Sequence, residues 1–199
     1  MVEFEEEVTI DFGAGNVIEA AWIVFAAYWL ISALQVKRKM KREPAGEQLA
    51  RFLVLGAAFA LLYSGDPRLG FLNDRFLPYR DWIRALGAGL TVAGVAFAIW
   101  ARYHIGRYWS GSVSLKADHK LIRTGPYAHI RHPIYTGILL ALAGTTLAIG
   151  RYRALVALAI WFAGFTWKAR REEALLSGEF GAAFEEHKRV TGFFLPRFS

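Results

Sequence analysis

The sequence predicts an all-α integral membrane protein of about five transmembrane helices with a cytoplasmic carboxyl-terminal cap. Three observations carry that expectation. Apolar residues make up 55% of the 199, above the roughly 45–50% of soluble domains, a figure that already counts glycine. They are gathered into five stretches with little or no charge. The basic residues fall mostly on one side of those stretches. A helix that is apolar all round has no face for water, and a chain this short has too little interior to enclose five of them.

The first stretch, 20–36, contains no charge, and the second, 52–64, has Arg51 at its entrance. The third, 83–101, carries only Arg84 at its edge; the fourth and fifth are 133–149 and 154–167. A bilayer core of about 30 Å takes about 20 helical residues, with ~17–25 typical. The first and third meet that length. The others are short, to be extended by snorkelling Lys and Arg or accommodated where the bilayer thins.

Charge supplies the orientation. Residues 37–42 hold five basic side chains in six, and further Lys and Arg fill 102–133 and the tail after 167. With Arg51, one side carries 18 of the 24 Lys and Arg residues. The other side has an acidic, Lys- and Arg-free start (Glu3, Glu5, Glu6, Glu7, Asp11), a 65–84 loop with four arginines and a 151–153 turn with two. The positive-inside rule then puts the amino terminus outside and the carboxyl terminus in the cytoplasm, and an odd number of spans agrees. Residues 71–82, mixing aromatic and charged side chains, are expected along the outer interface. The acidic start is unlike a signal peptide. The net charge of +7 is thus a property of membrane-flanking loops, which makes the bilayer the expected partner and requires no nucleic acid. The lack of cysteine excludes disulfides, thiolate zinc sites and a cysteine nucleophile.

Polar residues beyond those needed for topology lie in 112–137 and 168–196. The first holds Gly125-Pro126, a turn signal, and His132-Pro133 at the opening of the fourth span, where proline costs no helical hydrogen bond and free N–H groups suit anionic ligand groups. The second holds Glu172-Glu173 on the continuation of the fifth span, either candidate ligand contacts or a solvated helix face. His129 and His132 lack a third ligand, so no metal is expected. The serines near His104 and His119 sit in no Gly-x-Ser-x-Gly elbow. Gly87, Gly89 and Gly94 lie inside an apolar helix, where they read as packing positions rather than a dinucleotide fingerprint.

Residues 119–137, HKLIRTGPYAHIRHPIYTG, resemble a motif of the isoprenylcysteine carboxyl methyltransferase family: His-x-Leu, Gly-Pro-Tyr, then Arg-His-Pro-x-Tyr-x-Gly. A second block follows as Glu172-Glu173, Leu176, Phe180-Gly181 and Pro196. The resemblance covers about the last ninety residues. It implies one membrane methyltransferase domain over 1–199, with three amino-terminal spans in 1–101 and a catalytic, cofactor-binding region with the last two spans in 102–199. The implied cofactor is S-adenosyl-L-methionine, contacted by His119, Lys120, Leu121, Ile122, Tyr127, His132, Pro133, Ile134, Tyr135 and Glu172. Lys168 stands where the prenyl-protein branch has a substrate-facing arginine. A lysine lacks the bidentate fork suited to a carboxylate, and Arg170 and Arg171 are expected to point away from its face. Phe184 and His187 replace tyrosines of the family's tail. The expected activity is therefore methyl transfer to a small lipophilic acceptor, a carboxylate or other lipid-like molecule, rather than to a prenylated protein. The alternative is an NADPH-dependent reductase related to sterol reductases, which carry a similar carboxyl-terminal block.

Overall fold

The computed structural model describes residues 13–33, 45–106, 109 and 121–197. The acidic start, the basic run at 37–42 and the predicted cofactor residues His119 and Lys120 lie outside them. Among the described residues the chain is helical, without a strand: α1 (Ala14–Ala33), α2 (Ala45–Tyr63), α3 (Asp81–Ile105), α4 (Pro133–Ile149), α5 (Tyr152–Phe180) and α6 (Ala182–Val190), with 3-10 turns at Pro67–Asn73 and Gly125–Ala128.

Helices α1, α2 and α3 are each long and apolar enough to cross a bilayer. Leu30 and Leu53 are 74% and 64% exposed, as lipid-facing side chains are. The sequence pattern makes the second span too short, since its apolar run begins at 52. In the structure α2 begins at Ala45 and reaches 19 residues, because Glu47, Gln48, Leu49, Ala50 and Arg51 are all good helix formers. Helix α4 is shorter, at 17 residues. Helix α5 runs 29 residues without a break, so its apolar first half carries Lys168, Glu172 and Glu173 directly out of the last span.

The core forms where α3 and α4 meet. Gly87 and Gly94 on α3 face Gly144 and Gly137 on α4, and the backbones touch. A Cβ added to Gly87 would lie 2.6 Å from the Gly144 carbonyl, and one on Gly137 2.6 Å from the Ala98 nitrogen. Small residues permit this approach, which replaces the missing hydrophobic drive between helices in lipid with close van der Waals contact. Between the glycines, the hydroxyls of Thr91 and Thr145 meet at 3.2 Å, and Trp22 of α1 donates to Thr145 at 3.1 Å. Buried Arg102 gives hydrogen bonds of 2.8 Å to the carbonyls of Ser32 and Gly106, a cation at the negative ends of two helices.

Helices α2 and α5 pack differently. They approach where Leu55 covers Gly164, 3.0 Å from where a Cβ would stand. Around that contact lies a groove of about 530 Å³ lined by apolar side chains, including Val54, Leu55 and Ile160, with Arg51, Trp167, Arg171 and Glu47 towards one end.

Candidate functional site

The site forms where α4 begins and α5 leaves the apolar zone. Proline at 133 starts α4, with His132 as its N-cap residue, so the His132 and Tyr135 side chains stand at its first turn. Their rings stack in parallel, 5.6 Å apart at 8°, and Tyr135 in turn stacks on Phe165 of α5 at 4.6 Å and 11°. The Tyr135 hydroxyl donates to the Glu172 carboxylate, 2.8 and 2.9 Å from its two oxygens. The Lys168 ammonium lies 3.5 Å from Glu172 and 5.1 Å from the centre of the Tyr135 ring, over its face. Lys168, His132 and Tyr135 are all buried.

The two adjacent glutamates divide the work. Glu172 serves Tyr135 and Lys168. Glu173 accepts from Arg131 Nε at 2.6 Å and faces His132 Nε2 at 3.2 Å. Burial pulls the Glu173 carboxyl up, but the hydrogen bonds from His132 and Arg131, with their charges, outweigh it and hold the group below its ordinary value. An ionised Glu173 must accept, so Nε2 is the protonated nitrogen of His132. Nδ1 is thereby turned towards the Glu172 side, 3.9 Å from its carboxylate.

A strap closes this arrangement. Arg131 also donates to the carbonyls of Lys188 and Thr191, tying α6 and the tail to the start of α4. The backbone nitrogens of Arg131 and His132 donate to the carbonyls of Gly192 and Phe193 at 2.9 and 3.3 Å. Phe193 meets the His132 ring edge-on at 5.0 Å, and Thr136 donates to the Phe194 carbonyl at 2.7 Å. Gly192 is required there, because a Cβ would collide with the Leu195 carbonyl. His187 is buried beneath the strap. Burial, helped by Arg123 and Arg131 nearby, lowers its basicity. Phe184 is also buried, so both departures from the family's tail tyrosines serve packing.

Of the residues expected from the sequence, His132, Tyr135, Glu172 and Lys168 come together. Tyr127 is buried behind them, its hydroxyl directed at the Ala101 carbonyl at 3.4 Å; burial first, then the Glu172 charge, push its phenol up. Pro133 and Ile134 are buried, and Leu121 and Ile122 are half-buried. Arg171 lies closer to the Lys168 face than expected: three residues on a helix amount to about 300°, leaving it about 60° away. It is engaged elsewhere, 2.7 Å from Glu47 across the groove and over the Trp167 ring. Sequence reasoning left out Arg131 and the Phe193-Phe194 strap, and gave Glu173 no separate role. The signal for Glu173 was its adjacency to Glu172, which on a helix aims two carboxylates about 100° apart.

The sequence model of the isoprenylcysteine carboxyl methyltransferase (ICMT) family matches residues 87–178, a segment containing the α4–α5 hairpin and every residue of the Glu172 cluster. The likeness to the ICMT family thus covers that segment, a little under half of the chain. The protein-S-isoprenylcysteine O-methyltransferase of Schizosaccharomyces pombe is 32% identical over 81 residues, 40% of this chain and 34% of the relative. The cobalt-zinc-cadmium resistance protein CzcN of Cupriavidus metallidurans is 31% identical over 120 residues, 59% of this chain and 53% of the relative. The chain thus spans between a third and about half of the length of these curated relatives. Among solved structures, a eukaryotic intramembrane Ras methyltransferase ICMT matches with a TM-score of 0.60 over 96% of this chain and 71% of its own, at 15% identity. The likeness is one of fold, and it extends beyond the ICMT segment to the amino-terminal spans.

Proposed function

We propose that this protein is an S-adenosylmethionine-dependent methyltransferase that methylates the carboxylate of a small lipophilic acceptor at the membrane surface. One observation carries the reading: the Glu172 carboxylate and the face of the Tyr135 ring together already hold a cation, the Lys168 ammonium. A ring face backed by a carboxylate is a fitting receptor for a sulfonium. His132, fixed by Glu173 with its Nδ1 turned to the Glu172 side, stands where a polar group of the same ligand would meet it, and Leu121 and Ile122 offer apolar surface to its flat parts.

When bound, the cofactor supplies an electrophilic methyl group, and a carboxylate oxygen forms the new O–C bond as the S–C bond breaks, with no proton transferred. The chain's task is alignment and exclusion of water rather than acid–base chemistry. A buried Tyr127 whose phenol is held neutral, and a Glu172 engaged by Tyr135 and Lys168, are consistent with a site that has no general base. The Lys168 ammonium favours an anionic acceptor head and disfavours an amine. An isoprenylcysteine, named in the fission-yeast relative, has the required carboxylate and lipid tail.

The acceptor's route is the α2–α5 groove. On α5, at about 100° per residue, Gly164, Trp167 and Arg171 face the groove, Lys168 lies about 40° from Gly164, and Glu172 about 80°. Lys168 therefore stands between the apolar groove and the cofactor residues, where an acceptor's head group would meet its counter-ion. The Lys- and Arg-rich loops at this end support a cytoplasmic placement, where a soluble cofactor is available.

Titration of the purified protein tests the reading. S-Adenosylmethionine should bind and NADPH should not, and labelled methyl should pass to farnesylcysteine analogues or long-chain carboxylic acids. Binding of NADPH without S-adenosylmethionine would instead establish the reductase. For the metal-resistance relatives, no group of three His, Asp or Glu side chains able to hold a metal occurs among the described residues.

A further inference from the structure

We propose that the opposite end of the bundle carries a second binding site, an arginine cradle for a phosphate group, and that a phospholipid headgroup fills it. Arg75, Arg151 and Arg153 converge there. Arg75 and Arg151 are antiparallel bridge partners, and Arg151 is the N-cap residue of α5, with no side-chain cap and no acidic residue in the helix's first turn. The amino end of a 29-residue helix carries partial positive charge that an acidic side chain usually offsets. Here two guanidinium groups are added to it instead.

All three guanidiniums end on neutral oxygens. Arg75 donates to the Leu77 carbonyl at 3.0 Å, Arg151 to the Asn73 carbonyl, and Arg153 to the Asn73 side-chain oxygen at 3.3 Å. Arg153 is only 8% exposed, and its buried Nε has no hydrogen-bond partner. The carboxylates of this end are used elsewhere or stand apart. Asp66 accepts from the Arg68 nitrogen at 2.9 Å, Asp81 faces Arg84 at 3.8 Å, and Asp74 contributes its backbone carbonyl to Tyr152. Three like charges, one of them buried, at a positive helix end call for an anion.

Position and geometry indicate which anion. From Arg153 to Glu172 is 19 residues of continuous helix, about 29 Å at 1.5 Å per residue, close to the thickness of a bilayer core. The cradle therefore lies at the headgroup level of the leaflet away from the methyl-transfer site. The Arg75 guanidinium lies over the Tyr79 ring at 5.3 Å, and Phe71, Tyr79 and Trp82 of this end are exposed, as aromatic residues are at that depth. Guanidinium forks match the oxygens of a phosphate.

The test uses the whole protein in a phosphate-free detergent. Phosphatidylglycerol, a galactosyl diacylglycerol of the same chains, and inorganic phosphate are each titrated, with bound ligand read by native mass spectrometry and the unfolding temperature recorded. Phosphatidylglycerol should be retained and raise the unfolding temperature saturably, with about tenfold weaker binding to R153Q and R75Q; the glycolipid should do neither. Equal protection by the glycolipid, or unchanged binding to R75Q, would overturn the site. Saturation by inorganic phosphate alone, with no further effect of the lipid, would overturn the lipid as its occupant. If R153Q does not fold, R75Q decides, since Arg75 lies outside the helices.

Discussion

The two helix pairs of the bundle, α3–α4 and α2–α5, are built from similarly apolar residues and do opposite things. In the first, Gly87, Gly94, Gly137 and Gly144 let two backbones touch over the length of α4, with the Thr91–Thr145 hydroxyls closing the seam. In the second, Gly164 is met by a single flexible side chain, Leu55, and the helices part around it to leave the groove. Four paired glycines make a weld and one unpaired glycine makes an opening. The weld fixes the first turn of α4, and with it His132 and Tyr135. On the proposed reading, the opening is where a lipophilic acceptor reaches Lys168.

That contrast can be broken most forcefully at the weld. Gly94→Leu puts a side chain into the Ala141 backbone and should cost about 3 kcal/mol or more, enough to prevent recovery of folded protein in detergent, as read by size-exclusion profile and thermal unfolding. The proposed cofactor residues come next. Glu172→Ala and His132→Ala should each weaken S-adenosylmethionine binding by ~1–3 kcal/mol, about 5–150-fold, with helical content unchanged by circular dichroism. Unchanged affinity in both would reduce the cluster to packing. At the strap, Gly192→Ala should release residues 191–197 from His132 and weaken cofactor binding by a smaller factor, while limited proteolysis at the tail speeds up.

The smallest effect is on acidification. His187, lowered from its ordinary 6.5 by burial, and Glu173, lowered from 4.5, both take up protons more readily when unfolded than when folded. Stability is therefore present in full above those ordinary values and is lost as pH falls through them, first below about 6.5 for His187 and then below about 4.5 for Glu173. Proteolysis of the strap should accelerate in that order, and His187→Phe should remove only the earlier step.

Much of this was legible in the sequence because membranes impose simple rules. Apolar runs gave the helices, and the spacing of Gly87 from Gly94 and of Gly137 from Gly144, seven residues or two turns, is a packing stripe on a 3.6-residue helix. His132, Tyr135, Lys168 and Glu172 were singled out from motif resemblance, and they do meet. The start of α2 was not legible, because 45–51 is polar and helix propensity had to extend what hydropathy ended. The Arg131–Glu173–His132 arrangement was hidden too. Which of two neighbouring glutamates faces a ligand depends on helix phase against a tail returning from almost sixty residues later. No local pattern records such a contact.

The difference between weld and opening can be tested in a single reversible measurement, since the chain has no cysteine. Gly164→Cys places the sole thiol at the groove's closest point, and a benzyl thiosulfonate reagent then fills the groove until a reductant removes it. S-Adenosylmethionine affinity and methyl transfer to a lipophilic carboxylate are measured on the same sample before modification, after it, and after reduction. Affinity should stay constant throughout, with turnover falling about tenfold on modification and returning on reduction, the response expected when a route is blocked and the reacting centre is untouched. Turnover unaffected by the benzyl group would contradict it and take the acceptor's path away from the α2–α5 groove.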